Sequence, residues 1–215
     1  MAVVTTCYEY DGTNWTASGV GTITAAANGV GLCGTQTAGL CMGGHNGTDE
    51  ITTTQEYNGS AWSSGGALAT KVQGASPAGT QTAGLEFGGY NGVSTYLNKT
   101  EEYDGSSWSS GGNLGTAKQA VMGFGSLNDG VCAGGDTGSY VSVVEVYNGS
   151  AWSVGNALSA VRGAGATSGT STSAGGFVAG GYSGSANLNT MEECAGAVAA
   201  KSVTSSEKFK KEENY

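Results

Sequence analysis

The side chain best suited to general acid–base catalysis occurs once in this chain, as His45. A serine or cysteine nucleophile is normally activated by a base within hydrogen-bond reach. Every serine and cysteine of the 215-residue sequence would have to share this single imidazole. The sequence therefore predicts a protein that is not an enzyme, with no catalytic residues, no metal site and no cofactor.

Cysteines could supply disulfides, and the chain has five of them: Cys7, Cys33, Cys41, Cys132 and Cys194. Cys33 and Cys41 are predicted to flank one hairpin, where their side chains could approach each other. An odd number of small apolar thiols nevertheless fits buried free cysteines better than a disulfide framework. We expect small buried thiols in tight strands.

Five Asn-x-Ser/Thr sequences could accept glycans, at Asn14, Asn46, Asn58, Asn98 and Asn148. Two of them, Asn58 and Asn148, stand in a repeated segment where Asp11 and Asp104 occupy the same place. Asparagine and aspartate both tolerate turn conformations with positive φ. This position is therefore predicted to require positive φ rather than a glycan.

A repeat of about 46 residues positions these side chains. Its first marker is a seven-residue segment that contains a turn and ends at a tryptophan. The segment begins at a glutamate in three copies and at Val146 in the fourth. Its aromatic pairs are Tyr10 and Trp15, Tyr57 and Trp62, Tyr103 and Trp108, and Tyr147 and Trp152. Its second marker is a glycine doublet, at 43–44, 88–89, 134–135 and 180–181. Two markers with one period define a structural unit, and aromatic residues needed identically in every unit are predicted to pack between units.

Each unit is predicted to contain four short strands, because Gly, Asn, Asp and Ser clusters interrupt the apolar runs every 8 to 12 residues. In the second unit the predicted strands are 67–73 with its continuation, 83–87, 99–103 and a fourth that contains Trp108. Asp104 and Gly105 are predicted to form a two-residue type I′ hairpin, in which both residues have positive φ.

A glycine doublet, then a tyrosine, then a tryptophan, once per four-stranded unit, resembles the kelch repeat of galactose-oxidase-like β-propellers. The resemblance covers about nine tenths of the chain. Its short Tyr-to-Trp spacing is similar to compact repeats in structural proteins of tailed phages. Some propellers of this kind bind copper through histidines and tyrosines, but such a site needs at least two imidazoles and this chain has only His45.

The resemblance implies an all-β propeller over residues 1–200, followed by a charged tail at 201–215. The units are a half unit at 1–15 and repeats at 16–62, 63–108, 109–152 and 153–199. The last repeat has Cys194 and Ala199 in place of the tyrosine and tryptophan. We expect about five blades, with four as the alternative, and ring completion either between the N- and C-terminal segments or by another chain. The tail is expected to be disordered or to order on assembly.

The formal net charge is −9, and a body this acidic would repel phosphate backbones. We therefore expect no nucleic-acid partner. The sequence contains no run of 18 apolar residues and no basic N-terminal region followed by an apolar stretch. Neither membrane insertion nor a secretion signal is predicted.

The units differ most in the loop that follows each glycine doublet, which begins at His45, Tyr90, Asp136 and Tyr182. Antiparallel strands place these loops on one face of the propeller, beside the turns that follow each tryptophan. Loop variation on a rigid scaffold is typical of a binding surface. We expect this face to contact a glycan or a neighbouring protein.

The leading expectation is a non-enzymatic virion protein of a tailed phage, attached to the capsid or tail and binding capsid or tail proteins and host surface glycan. A lectin-like or adhesin propeller on a bacterial surface is the main alternative, and a cytoplasmic interaction propeller is a third. The sequence leaves open whether the protein forms a homo-oligomer. The virion location rests on the resemblance rather than on residue chemistry.

Overall fold

The structure, a computed structural model, describes residues 5–17, 21–23, 25, 27–93, 95–169 and 172–194, and the backbone of 200–203. These residues form eighteen strands and no helix. Four four-stranded antiparallel sheets are arranged as a four-blade β-propeller, and one two-stranded sheet precedes them. The predicted all-β propeller is confirmed.

The strands follow the chain from one blade to the next. The N-terminal hairpin is β1 (Glu9–Tyr10) and β2 (Trp15–Thr16). The first blade is β3 (Gly31–Thr35), β4 (Ala38–Met42), β5 (Thr54–Tyr57) and β6 (Trp62–Ser64). The second is β7 (Ser76–Thr80), β8 (Ala83–Phe87), β9 (Thr100–Tyr103) and β10 (Trp108–Ser110). The third is β11 (Met122–Ser126), β12 (Asp129–Ala133), β13 (Val144–Tyr147) and β14 (Trp152–Val154). The fourth is β15 (Ala166–Thr167), β16 (Phe177–Ala179), β17 (Met191–Cys194) and β18 (Ala200–Val203).

The core lies between blades, where the first strands of successive blades contact each other: β3 with β7, β7 with β11 and β11 with β15. Leucine side chains of one blade sit on glycines of the next. A Cβ built on Gly84 would lie 2.7 Å from Leu40 Cδ2, and one on Gly130 would lie 2.7 Å from Leu85 Cδ2. These glycines are required because any side chain would displace the neighbouring blade.

The repeat aromatics lie in the same interfaces. Tyr57, Tyr103 and Tyr147 are buried, and the tryptophans that pair with them are half-buried. Trp152 contacts Phe87 of the preceding blade with a ring-centroid distance of 4.8 Å. Tyr10 and Trp15 of the N-terminal hairpin are instead exposed, by 47% and 70%, because no described strands cover their outer side.

The first strand of the second blade begins later than the sequence predicts. Strand β7 begins at Ser76, within the continuation of the predicted strand, whereas 67–73 is not part of it. That run crosses from the previous blade instead: Leu68 N–H donates to Thr52 O (2.9 Å) and Val72 N–H to Ile51 O (3.3 Å). Because a segment that crosses between blades also buries its side chains, its apolar sequence pattern is similar to that of a strand.

The predicted type I′ hairpin is also wrong. Tyr103 pairs with Trp108, so the loop spans four residues, 104–107, and only Gly105 has positive φ (+91°). Asp104 Oδ1 accepts the N–H groups of Ser106 and Ser107, both at 2.8 Å. These bonds lower the pKa of Asp104 to about 2. Asn and Asp both occur at this position because each side chain supplies the oxygen that accepts these hydrogen bonds. The position does not need positive φ.

The ring has four blades rather than the favoured five. Strand β18 pairs with β17 inside the fourth blade instead of joining the N-terminal hairpin. It extends three residues into the segment assigned to the tail, and 204–215 and Ala199 lie outside the described residues. No helix among the described residues could cross a membrane.

Candidate binding face

The four residues that begin the variable loops occupy equivalent places in the four blades. Each forms two isolated bridges, so that a short row of three residues runs across the loop end of every blade. The rows are Asn28–His45–Glu50, Gln73–Tyr90–Tyr96, Gln119–Asp136–Tyr140 and Gly163–Tyr182–Asn187. The structure therefore places all four predicted residues on one end of the propeller.

The glycine doublets position these rows. Gly44 has φ of +100°, and a Cβ there would lie 2.8 Å from Asn28 O and 2.7 Å from Val30 Cγ1. Its N–H donates to Val72 O of the next blade at 2.7 Å, and Gly89 N–H bonds Lys118 O in the same way at 2.9 Å. The doublet thus turns the chain and joins adjacent blades immediately before each loop.

Two of the rows meet through side chains. The rings of Tyr90 and Tyr96 contact edge to face, with centroids 6.4 Å apart. The Tyr96 hydroxyl donates to Asp136 Oδ2 of the third blade at 3.2 Å. Burial and, next, the Asp136 carboxylate raise the pKa of Tyr96, so its hydroxyl stays protonated at neutral pH and keeps donating.

The next pair of rows meets in a second aromatic contact. Tyr140 and Tyr182 lie edge to face with centroids 5.5 Å apart. This contact depends on Gly163, where a Cβ would lie 2.8 Å from Tyr140 Cε1. Tyr182 remains 38% exposed. We call Tyr90, Tyr96, Asp136, Tyr140 and Tyr182 the tyrosine belt.

His45 lies on the first blade, beyond the end of the tyrosine belt. Its Nδ1 accepts the Gly47 N–H at 3.0 Å, which closes its own loop. The buried Glu50 in the same row accepts a hydrogen bond from Gln73 Nε2 of the second blade at 3.0 Å. The structure thus brings Tyr90, Asp136 and Tyr182 into one belt and leaves His45 in a separate polar row.

Sequence reasoning missed Tyr96 and Tyr140, which complete the belt. A usable signal was present, because four of the ten tyrosines belong to the repeat segments and only six lie elsewhere. Four of those six are the tyrosines of the belt. Tyrosines outside the structural repeat therefore identify this face better than the first loop residue alone.

The tyrosine belt offers partly exposed aromatic rings, phenolic hydroxyls and one carboxylate at one end of the propeller. Rings of this kind give large contact area at low conformational cost, while the hydroxyls and Asp136 can hydrogen-bond a polar ligand. The arrangement suits a sugar or a polar protein surface.

Other chemical groups are accounted for elsewhere. The five cysteines are free thiols, and Cys41 and Cys132 are buried. Burial first of all raises the pKa of Cys41 to about 11 and of Cys132 to about 12. The described residues contain no group of three or more His, Cys, Asp or Glu that could hold a metal ion.

Comparison of the chain with protein-family models and with curated proteins gives no match.

Proposed function

We propose that this chain is a non-enzymatic binding propeller that uses the tyrosine belt to contact a glycan or a partner protein. The observation that carries the proposal is the concentration of four partly exposed tyrosines and Asp136 on one end of the propeller. Rigid sheets fix these side chains before a ligand arrives, which reduces the entropy lost on binding.

We further propose that the blades are kelch-like and that the protein is a virion component of a tailed phage, decorating the capsid or associated with the tail or its fibres. The glycine doublet, tyrosine and tryptophan once per blade support the kelch relation. The compact spacing between that tyrosine and tryptophan supports the phage relation. Mass spectrometry of purified phage particles that encode this chain tests the location directly, and its absence from the particles would contradict it.

The belt is tested by replacing Tyr90, Asp136 and Tyr182 together with alanine. Binding of the purified protein to host surface polysaccharide and to capsid and tail proteins is measured by biolayer interferometry. We expect at least a tenfold loss, because aromatic residues at the centre of an interface typically contribute more than 1 kcal/mol each. Unchanged affinity for every partner would contradict the belt as the binding site.

A matched control is Val93→Ala. Val93 is 77% exposed in the variable loop of the second blade but lies outside the tyrosine belt. This variant should bind like the unchanged protein, which separates loss of the belt from general damage to the loop end.

A lectin-like or adhesin propeller on a bacterial surface is the second candidate, and the Asp136 carboxylate among tyrosine rings favours it. Belt-dependent binding to polysaccharide without affinity for virion proteins would support this alternative. Tight binding to a capsid or tail protein without sugar affinity would support decoration.

A further inference from the structure

The N-terminal hairpin occupies the place of the outer half of a blade. The Tyr57 hydroxyl of the first blade donates to Glu9 Oε1 at 2.6 Å. In the same way, the Tyr103 hydroxyl of the second blade donates to Glu56 of the first. Strands β1 and β2 therefore pack against the first blade in the same position that β5 and β6 take against the second blade.

The inner half of that blade is missing from the described part of the chain. In every complete blade the third strand pairs with the second and the fourth, whereas β1 pairs only with β2. A cavity of about 440 Å³ lies beside this hairpin. Its lining includes Trp15, Leu32, Cys33, Gly39, Trp62 and, from the fourth blade, Gly169.

Two of the three internal blade interfaces show which side chain is missing, whereas at the third the equivalent Gly176 meets Phe124 from a first strand. Gly84 and Gly130 each receive a leucine from the second strand of the preceding blade. Gly39 is the equivalent glycine of the first blade, and the three atoms nearest to a Cβ there belong to Tyr57, Thr35 and Trp62 of its own blade, at 3.4 to 3.8 Å. The space for a leucine over Gly39 is therefore unfilled by the preceding hairpin.

A glutamine shows that a backbone carbonyl is missing as well. Gln81 Nε2 donates to Gly39 O (3.1 Å) and Tyr57 O (2.7 Å), which belong to the second and third strands of the first blade. Gln36, at the same place in the first blade, donates to Tyr10 O at 3.3 Å. For Gln36, no described residue supplies a second carbonyl at the place that Gly39 O takes for Gln81.

We propose that the open edge of β1 and the adjoining cavity bind a β-strand supplied by a different protein. The strand runs antiparallel to β1 and places an aliphatic residue opposite Glu9 and over Gly39. Leu40 lies opposite Glu56 in this way, and Leu85 opposite Glu102. The occupant thus has the pattern Gly-Leu-x-Met or Gly-Leu-x-Phe, and adds by main-chain pairing.

The strands of the fourth blade cannot pair with β1 unless a buried ion pair of that blade is broken. Strand β17 is held in its own sheet by the buried pair of Arg162 and Glu192, whose Nη2 and Oε1 atoms lie 2.8 Å apart. Moving β17 would leave the Arg162 charge buried without its carboxylate. The residues at 204–215 contain neither glycine nor an aliphatic side chain, so they do not match the required pattern.

The test uses a fluorescein-labelled peptide with the sequence of residues 82–89, which is strand β8 with its flanking residues. Fluorescence anisotropy with the full chain should show saturable binding, and a peptide with Leu85→Asp should bind at least tenfold more weakly. Hydrogen exchange at Tyr8 and Tyr10, whose N–H groups face away from β2, should slow when the peptide is bound.

Variants of the full chain locate the site. Gly39→Leu fills the space over the glycine and should weaken peptide binding at least tenfold, whereas Val154→Leu, at a 79% exposed position on β14, should not. If Gly39→Leu fails to fold, Gln36→Ala removes the amide donor and should weaken binding about fivefold, as expected for one hydrogen bond.

Several results would overturn the proposal. These are no peptide binding, equal binding of the Leu85→Asp peptide, or binding that appears only after residues 204–215 are deleted, which would identify the chain's own terminus as the occupant. A dimer in light scattering that is abolished by Phe177→Asp would identify instead a second copy, because Phe177 is the 37% exposed equivalent of Leu40 on the fourth blade. The tyrosine belt is not involved in any of these measurements.

Discussion

At the scale of single residues, the tryptophans show how one substitution changes a repeated contact. Trp108 Nε1 donates to Thr54 Oγ1 and Trp152 Nε1 to Thr100 Oγ1, both at 2.8 Å. The equivalent nitrogen of Trp62 is buried and has no hydrogen-bond partner among the described residues. In the repeat, Cys7 stands where the other two interfaces have threonine. The first interface therefore lacks a bond that the next two make.

Cys7→Thr should supply the missing acceptor and raise the free energy of unfolding by about 1 kcal/mol, as expected for one net hydrogen bond. Cys7→Val is the matched control, because valine has the shape of threonine without its hydroxyl. Urea unfolding followed by tryptophan fluorescence measures both variants. Equal stability of the two would show that Trp62 Nε1 gains nothing from the hydroxyl.

At the scale of strands, the third strands of the second, third and fourth blades carry a buried carboxylate that is balanced in different ways, whereas the first blade has Gln55 at this place. Lys118 Nζ lies 2.7 Å from Glu145 Oε1 in the third blade, and Arg162 pairs with Glu192 in the fourth. The second blade has Val72 at the place of these cations. The carboxylate on the third strand of this blade, Glu101, instead lies next to a second buried acid on the adjacent strand.

That acid is Glu86 of β8, which lies opposite Glu101 of β9. Burial, followed by the Glu101 carboxylate, raises the pKa of Glu86 well above its ordinary value of 4.5, although Lys99 partly opposes the shift. Its Oε1 has no hydrogen-bond partner in the part of the chain that the structure describes. Folding therefore favours the protonated form of Glu86.

Because the folded state holds this proton more tightly, its contribution to stability is complete below pH 4.5 and is lost as the pH rises through the raised pKa. Glu86→Gln should therefore reduce the fall in stability between pH 5 and about pH 8. Urea unfolding across this range measures the slope. Glu193→Gln, the same replacement on β17 of the fourth blade, is the control for the substitution itself. A slope that Glu86→Gln leaves unchanged would contradict this origin of the pH dependence.

At the scale of the whole molecule, consecutive blades are joined by a ladder of backbone hydrogen bonds. Gly74 N–H donates to Gly29 O at 3.1 Å, Ala120 N–H to Gly74 O at 3.2 Å and Ala164 N–H to Ala120 O at 2.8 Å. All four residues have positive φ, which is unfavourable for the two alanines. No bond from Gly29 to Ala164 closes the ladder within the described residues, so the ring keeps a seam beside the N-terminal hairpin.

Ala120→Gly should stabilise the fold by about 0.5 kcal/mol, because relief of the positive φ exceeds the added entropy of the unfolded chain. Gly74→Ala should destabilise it by about 1 kcal/mol without a clash, since a Cβ there has no neighbour within 4 Å. Thermal unfolding measures both changes. Ala151→Gly, in a hairpin loop where φ is not positive, is the control and should not stabilise. A loss of stability for Ala120→Gly would contradict the argument from φ.

The sequence by itself determined the blade unit, the second strand of each repeat and the glycine doublets, because turn chemistry and alternating burial act over a few residues. It also located the loops that carry Tyr90, Asp136 and Tyr182. It began β7 too early, since a crossing segment and a strand bury similar side chains, and it mistook a capping aspartate for a positive-φ turn residue.

Only the tertiary structure decided what meets across blades. The contact of Tyr96 with Asp136 joins residues 40 positions apart, and the open edge of β1 appears only when the hairpin is placed against the first blade. These contacts depend on how each sheet packs on the next, which the repeat period does not specify. The belt and the seam are therefore properties of the assembled ring rather than of any single repeat.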